Sequence, residues 1–153
     1  GLFVGSENER KSILRLIAEY DPFLLDVEFN TIQKDKKFAS YLKKTKCKLL
    51  ISWHDFKKTP NESLLKSKFI KMKQFSNVVK IVTVAKNISD VSRLLSLYSI
   101  KSKSKTVAFC MGEEGRFSRI LCLHLGSPFT YVSLGKAIAP GQFSVDEIRS
   151  LSP

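Results

Sequence analysis

No run of apolar residues in this 153-residue chain is long enough to cross a bilayer, and the opening GLFVGSENER lacks the basic start and apolar centre of a secretory leader. Neither a membrane partner nor an export address is expected. Cysteine is scarce: Cys47, Cys110 and Cys122 are odd in number and show no C-x-x-C spacing. That argues against a disulfide framework or a zinc site and favours a reducing compartment, the cytoplasm. Acidic residues are also few, 14 against 26 Lys and Arg, giving a formal net charge of +12 and a pI near 9.7. Such a charge attracts phosphate, yet no RNP-like aromatic signature, zinc finger or helix-turn-helix accompanies it. The lysines fall in scattered groups, as in Lys43, Lys44, Lys46 and Lys48, or Lys66, Lys68, Lys71 and Lys73. These sit near predicted helices and read as solvated faces, and the same positive field would draw an anionic small molecule. There is no low-complexity tract, long linker or internal repeat, so residues 1–153 are read as a single domain. With 43% hydrophobic residues it is long enough to bury a core.

What is present is a regular alternation of short apolar runs and longer amphipathic ones. ERKSILRLIAEY places Ile13, Leu16, Ile17 and Tyr20 at helical spacing, and FLLDVEF after Pro22 reads as a strand. A helix over about 32–44 leads into the strand CKLLISW. Thr59 or Asn61 caps the next helix, striped by Leu65, Phe69 and Met72, before the strand VVKIVTVA. Asn87 or Ser89 opens a helix with Val91, Leu94, Leu95 and Tyr98. KTVAFCM is a fourth strand, GEEGRFSRILCLHL a loop and helix, FTYVSL a fifth strand, and SVDEIRSL a closing helix. Alternating strands and helices imply an α/β fold with about five parallel strands joined by right-handed crossovers. Five strands do not close an eight-stranded barrel, so the sheet is either small and open or part of something larger.

In such folds ligands bind beyond the C-terminal ends of the strands. That location singles out His54 and Asp55 after LLISW, the GEEGR segment, and the loop KAIAPGQ. A histidine there is either an acid–base group or the hydrogen-bonded polar end of a strand. His124, within an apolar helical run, is the weaker candidate. Lys80 is the sharper anomaly, because alternation places it with Val78, Val82 and Val84 on one face while the other face is apolar too. A buried amine would lose its charge more readily and become a nucleophile towards carbonyls. Alternatively Lys80 lies at a frayed strand start with its head in solvent. Arg119 and Gln142 are candidates for holding a carboxylate. Asp26 and Glu28 share one strand face, pointing into a polar site or a barrel layer. The glycines of MGEEG make no phosphate-binding fingerprint and are read as turn and helix-entry residues.

Taken in order and spacing, SWHDFKKTP, VVKIVTVAKNISDV, MGEEGRFSRI, LGSPFTYVSLGKAIAPGQFSVDEIRSL and the opening GLFVGSENER resemble the type I 3-dehydroquinate dehydratases over nearly the whole chain. The resemblance implies a (β/α)8 TIM barrel, here incomplete, in a homodimer. It also implies a dehydration of 3-dehydroquinate to 3-dehydroshikimate in the shikimate pathway, without metal or other cofactor. Lys80 matches the lysine that forms a Schiff base with the substrate ketone, and His54 the general acid and base. Arg119 and Gln142 match residues that hold the substrate carboxylate.

The chain also departs from the family pattern. Ile138 stands where the family's SAPGQ loop has serine, and Leu123 where a glutamate often follows the arginine. GLFVGSE matches the stretch just after the family's R-x-x-x-E-G motif. The first three strands, the glutamate paired with the catalytic histidine, and the groups on the substrate hydroxyls are therefore expected outside this sequence. An exposed parallel edge and an uncovered core would follow. Two other readings stay open, a degenerate non-catalytic partner and a basic α/β module for nucleic acid.

Overall fold

The computed structural model describes residues 3–135 and 137–151; Gly1 and Leu2 of the opening stretch, Lys136 of KAIAPGQ, and Ser152 and Pro153 lie outside the described residues. Elements alternate as expected, beginning with α1 (Glu7–Glu19), β1 (Leu25–Glu28), α2 (Phe29–Lys34), α3 (Lys36–Lys44) and β2 (Leu49–Asp55). They continue with α4 (Glu62–Met72), β3 (Val78–Val84), α5 (Ile88–Leu95), a 3-10 turn at Ser96–Ser99, β4 (Lys105–Met111), α6 (Ser118–His124) and α7 (Val145–Leu151). The described strands form one parallel sheet in the order β1-β2-β3-β4.

Local chemistry sets most boundaries. Ser6 and Glu9 form a reciprocal capping box at the start of α1, satisfying backbone donors that the helix itself leaves unpaired. Asn61 and Asn87, rather than Thr59 and Ser89, cap α4 and α5 through their side-chain oxygens. The single helix expected over about 32–44 is two helices. Asp35 breaks it, leaving helical backbone and accepting the Phe38 N–H at 2.9 Å to start α3 afresh. A residue that caps so readily ends one helix as it begins the next.

The fifth strand expected at FTYVSL is absent from the sheet. The Ser133 backbone N–H donates to Phe143 O at 2.9 Å, and Val145 N–H donates to Ser133 O at 3.0 Å. That segment's hydrogen-bonding groups are therefore spent on the 143–145 chain in one isolated bridge, while Phe129 and Tyr131 pack over the sheet. The apolar stripe of α1 also differs from expectation, with Ile13, Leu16, Ile17 and Tyr20 all exposed and Ala18 buried. The helix flanks β1, an open edge of the sheet, and no described element covers that stripe.

The sheet's two faces are chemically different. Val27, Ile51, Trp53, Val79, Ile81, Ala108 and Cys110 turn towards the helices and merge with Phe38, Leu42, Leu65 and Phe69 in the main core. The opposite face carries charged residues and a smaller cluster of Val82, Val107, Phe109 and Met111 with Cys122. Phe69 is fully enclosed, whereas Leu16 is 60% exposed. Phe69→Ala should lower the unfolding free energy of this chain by about 3–5 kcal/mol through lost burial and a residual cavity. Leu16→Ala should change it by less than about 0.5 kcal/mol. Chemical denaturation of the two variants checks both values.

Candidate active site

Side chains alternate across a strand, so the register fixes which groups share the polar face. Asp26 and Glu28 on β1, Ser52 and His54 on β2, and Lys80 and Val82 on β3 all line one cavity of about 720 Å³. Arg119 from α6, Tyr131 and Gln142 supply further wall. His54, Lys80, Arg119 and Gln142 are thus brought together as the sequence suggested. His124 is exposed on α6 and Leu123 is half exposed there, neither lining this cavity.

Lys80 is 7% exposed, in mid-strand, which excludes the frayed-end alternative. Its Nζ donates to Asp26 Oδ2 at 2.5 Å and to the Tyr131 hydroxyl at 3.4 Å, and lies 4.6 Å from the centre of the Tyr131 ring. The expected lowering of its pKa is not found. Burial does push the amine towards neutrality, but the Asp26 charge and hydrogen bond, aided by Tyr131, outweigh it and hold the pKa above the ordinary lysine value. At rest the amine is therefore an ammonium.

His54 Nδ1 lies 2.5 Å from Glu28 Oε1. A carboxylate can only accept, so Nδ1 carries the proton and Nε2 is left to exchange one with a ligand. Phe56 stacks on the ring at a centroid distance of 5.6 Å and restricts its tilt. The sequence resemblance implied a histidine-pairing glutamate outside this chain; within it, Glu28 on the adjacent strand also contacts the ring.

Arg119 is 2% exposed and bonds through Nη2 to Pro140 O at 3.4 Å, with Cζ 4.5 Å from the Phe109 ring centre and Nε without a partner. Burial lowers its pKa. Among the described residues no carboxylate pairs with it. A desolvated guanidinium with spare donors is the chemistry of an anion site, which a carboxylate fits in bidentate fashion. Gln142 is buried, and its Oε1 accepts the Ile138 N–H at 3.0 Å, leaving its amide nitrogen as a donor.

Glycines make this wall possible. Gly141 has φ +70°, and a Cβ there would meet Gly112 O at 2.4 Å, so the APGQ turn can lie flat on the loop after β4. Gly115 allows the equally tight entry to α6, as expected for MGEEG, since its Cβ would fall 2.6 Å from Met111 O. Ile138, at the serine position of the family loop, is 87% exposed and contributes its backbone N–H to Gln142. Sequence reasoning left Asp26 and Glu28 ambiguous and passed over Tyr131 and Ser52. Counting back two residues from His54 would have placed Ser52 on its face, but Tyr131, outside any strand, offered no such signal.

A family model described as type I 3-dehydroquinase matches residues 1–152. The chain is 40% identical over 148 residues to a 3-dehydroquinate dehydratase of Pyrobaculum aerophilum, covering 95% of this chain and 47% of that protein. It is 38% identical over 151 residues to the Dehalococcoides mccartyi enzyme of that name, covering 97% and 67%. A crystal structure of type I 3-dehydroquinate dehydratase from Clostridium difficile, carrying covalently modified comenic acid, superposes with a TM-score of 0.85 at 25% identity, covering 99% of this chain and 62% of that one. The chain thus spans from about half to two thirds of the length of these proteins.

The Lys80 ammonium gives a signed pH dependence. Its folded-state pKa lies above the unfolded value, so the pair's stabilisation is complete below the ordinary lysine pKa and lost as pH rises through the raised one. Asp26→Asn removes the main opposing charge and leaves burial to dominate, which should bring the Lys80 pKa below the ordinary lysine value. Titration of the isotopically labelled lysine by NMR reads the direction; an unchanged or higher midpoint would contradict the assignment.

Proposed function

Because the chain belongs to the type I 3-dehydroquinase family, we propose that it carries the imine-forming and acid–base machinery of a 3-dehydroquinate dehydratase, a lyase of the shikimate pathway. The observation that supports this reading most strongly is the enclosure of Lys80 and His54 in one cavity with an unpaired Arg119. Arg119 and the Gln142 amide bind the substrate carboxylate and fix the position of the ring, turning a collision into an oriented encounter. The Lys80 ammonium releases a proton, and its nitrogen attacks the ketone carbon. Loss of the ketone oxygen as water then gives an iminium. That positive nitrogen withdraws electrons from the neighbouring carbon, whose proton passes to His54 Nε2.

The resulting enamine expels the ring hydroxyl, which leaves as water with the proton returned by His54. Water then hydrolyses the imine and frees both 3-dehydroshikimate and the amine. Glu28 holds the imidazole through Nδ1 during both transfers and keeps Nε2 turned to the substrate. A homodimer and a cytoplasmic location belong to the same reading. The location draws support from three buried free cysteines.

Borohydride added with 3-dehydroquinate should leave a reduced covalent adduct on Lys80, visible by intact mass and peptide mapping and absent from Lys80→Ala. His54→Ala should still form the adduct while turnover falls about 100-fold or more. A protein that binds dehydroquinate without a trapped adduct would instead be a non-catalytic member of the family.

A further inference from the structure

Two buried polar atoms on the cavity wall, Arg119 Nε and Ser52 Oγ, have no hydrogen-bond partner among the described residues. Arg119 awaits an anion, but the serine has no such explanation. Ser52 is 1% exposed, so solvent does not compensate its hydroxyl, and nothing in the sheet gains from a polar group there. Its position is specific. The register sets it level with Glu28 on β1 and with Lys80 on β3, and it precedes His54 by two residues on the same face. The Lys80–Asp26 bridge joins β3 to β1 and so passes over β2 at this level, since Asp26 is level with Leu50 and Lys80 with Ser52. The hydroxyl therefore belongs to the strand that the bridge crosses, at the register of the lysine.

We propose that Ser52 is a catalytic residue of imine formation, its hydroxyl donating a hydrogen bond to the substrate's carbonyl oxygen as that oxygen is converted to water. The proposal rests on Lys80 being the nucleophile. When the nitrogen lone pair forms the new N–C bond, the carbonyl π pair moves onto oxygen. That oxygen takes the proton released from nitrogen, giving the carbinolamine. A second proton, carried by water, allows the C–O bond to break with its electron pair, and water departs. Ser52 keeps its own proton throughout and stabilises the charge that develops on oxygen, where a preorganised donor is most effective. It is not itself a nucleophile, because no base contacts its oxygen.

The test uses the polypeptide as its gene encodes it, with Ser52→Ala and Ser52→Thr compared by rapid mixing with 3-dehydroquinate and borohydride quenching. Ser52→Ala should slow the appearance of the Lys80 adduct about tenfold, the share of one hydrogen bond to a charged oxygen. Ser52→Thr should recover most of that rate. Melting temperature separates this from a structural role: loss of an unpartnered hydroxyl should leave it unchanged or higher. Equal trapping rates in the alanine variant would overturn the proposal, as would slow trapping accompanied by a lowered melting temperature. If the unaltered protein formed no adduct, the Lys80 reading would fall, and this one with it.

Discussion

The ion pair between Asp26 and Lys80 is the constraint on which the rest of the site depends. Its partners stand on β1 and β3 with β2 between them, so the contact exists only if both strand pairings keep their register. A one-residue slip of either strand would turn its charged side chain towards the helix-packed core and leave its partner with an uncompensated charge. The pair thus ties the sheet's order to the site's electrostatics. It also fixes the resting chemistry, because an ammonium cannot attack a carbonyl. A site that uses this amine as a nucleophile therefore requires it to leave Asp26 first.

Two buried cations share the cavity and are treated differently. Lys80 has its counter-ion within the fold, while Arg119 has only a carbonyl and an aromatic face. The difference separates a cation whose charge is balanced inside the fold from one whose charge is not. The guanidinium remains charged despite burial, so its unmet hydrogen-bonding capacity favours an anionic ligand rather than a proton shift. The overall charge of +12 adds a long-range attraction of the same sign, while Arg119 and Gln142 place donors on the cavity wall itself.

Much of this was legible in the sequence because alternation is a strong signal in fully covered strands. It placed Lys80 on one face of VVKIVTVA, located His54 at a strand end, and put Asp26 and Glu28 together. Motif spacing then joined Arg119 and Gln142 to them. The misses have physical causes. FTYVSL has the composition of a strand, but β-propensity does not say where backbone donors find acceptors, and Ser133 found them in the 143–145 chain. Alternation left Lys80 either buried or at a frayed strand start, and the sign of its pKa shift depended on a carboxylate 54 residues away, whose approach no local pattern encodes. The helix expected over about 32–44 ran straight through Asp35, whose capping bond to Phe38 divides it in two.

The contact between Glu28 and His54 changes what this segment can supply by itself. Both residues are on β1 and β2, whose parallel pairing sets Glu28 level with Ser52, one inward-facing position from His54. The imidazole is therefore oriented by its immediate neighbour in the sheet, and its tautomer follows from a bond made within these described strands. The amine's counter-ion, Asp26, belongs to the same β1 segment. One four-residue strand consequently carries both carboxylates that contact the cavity's titratable groups, Asp26 on Lys80 and Glu28 on His54. Polar residues on this edge strand fit that arrangement: replacing Asp26 by a hydrophobic residue would leave the buried Lys80 ammonium without its counter-ion, and replacing Glu28 would free the His54 ring.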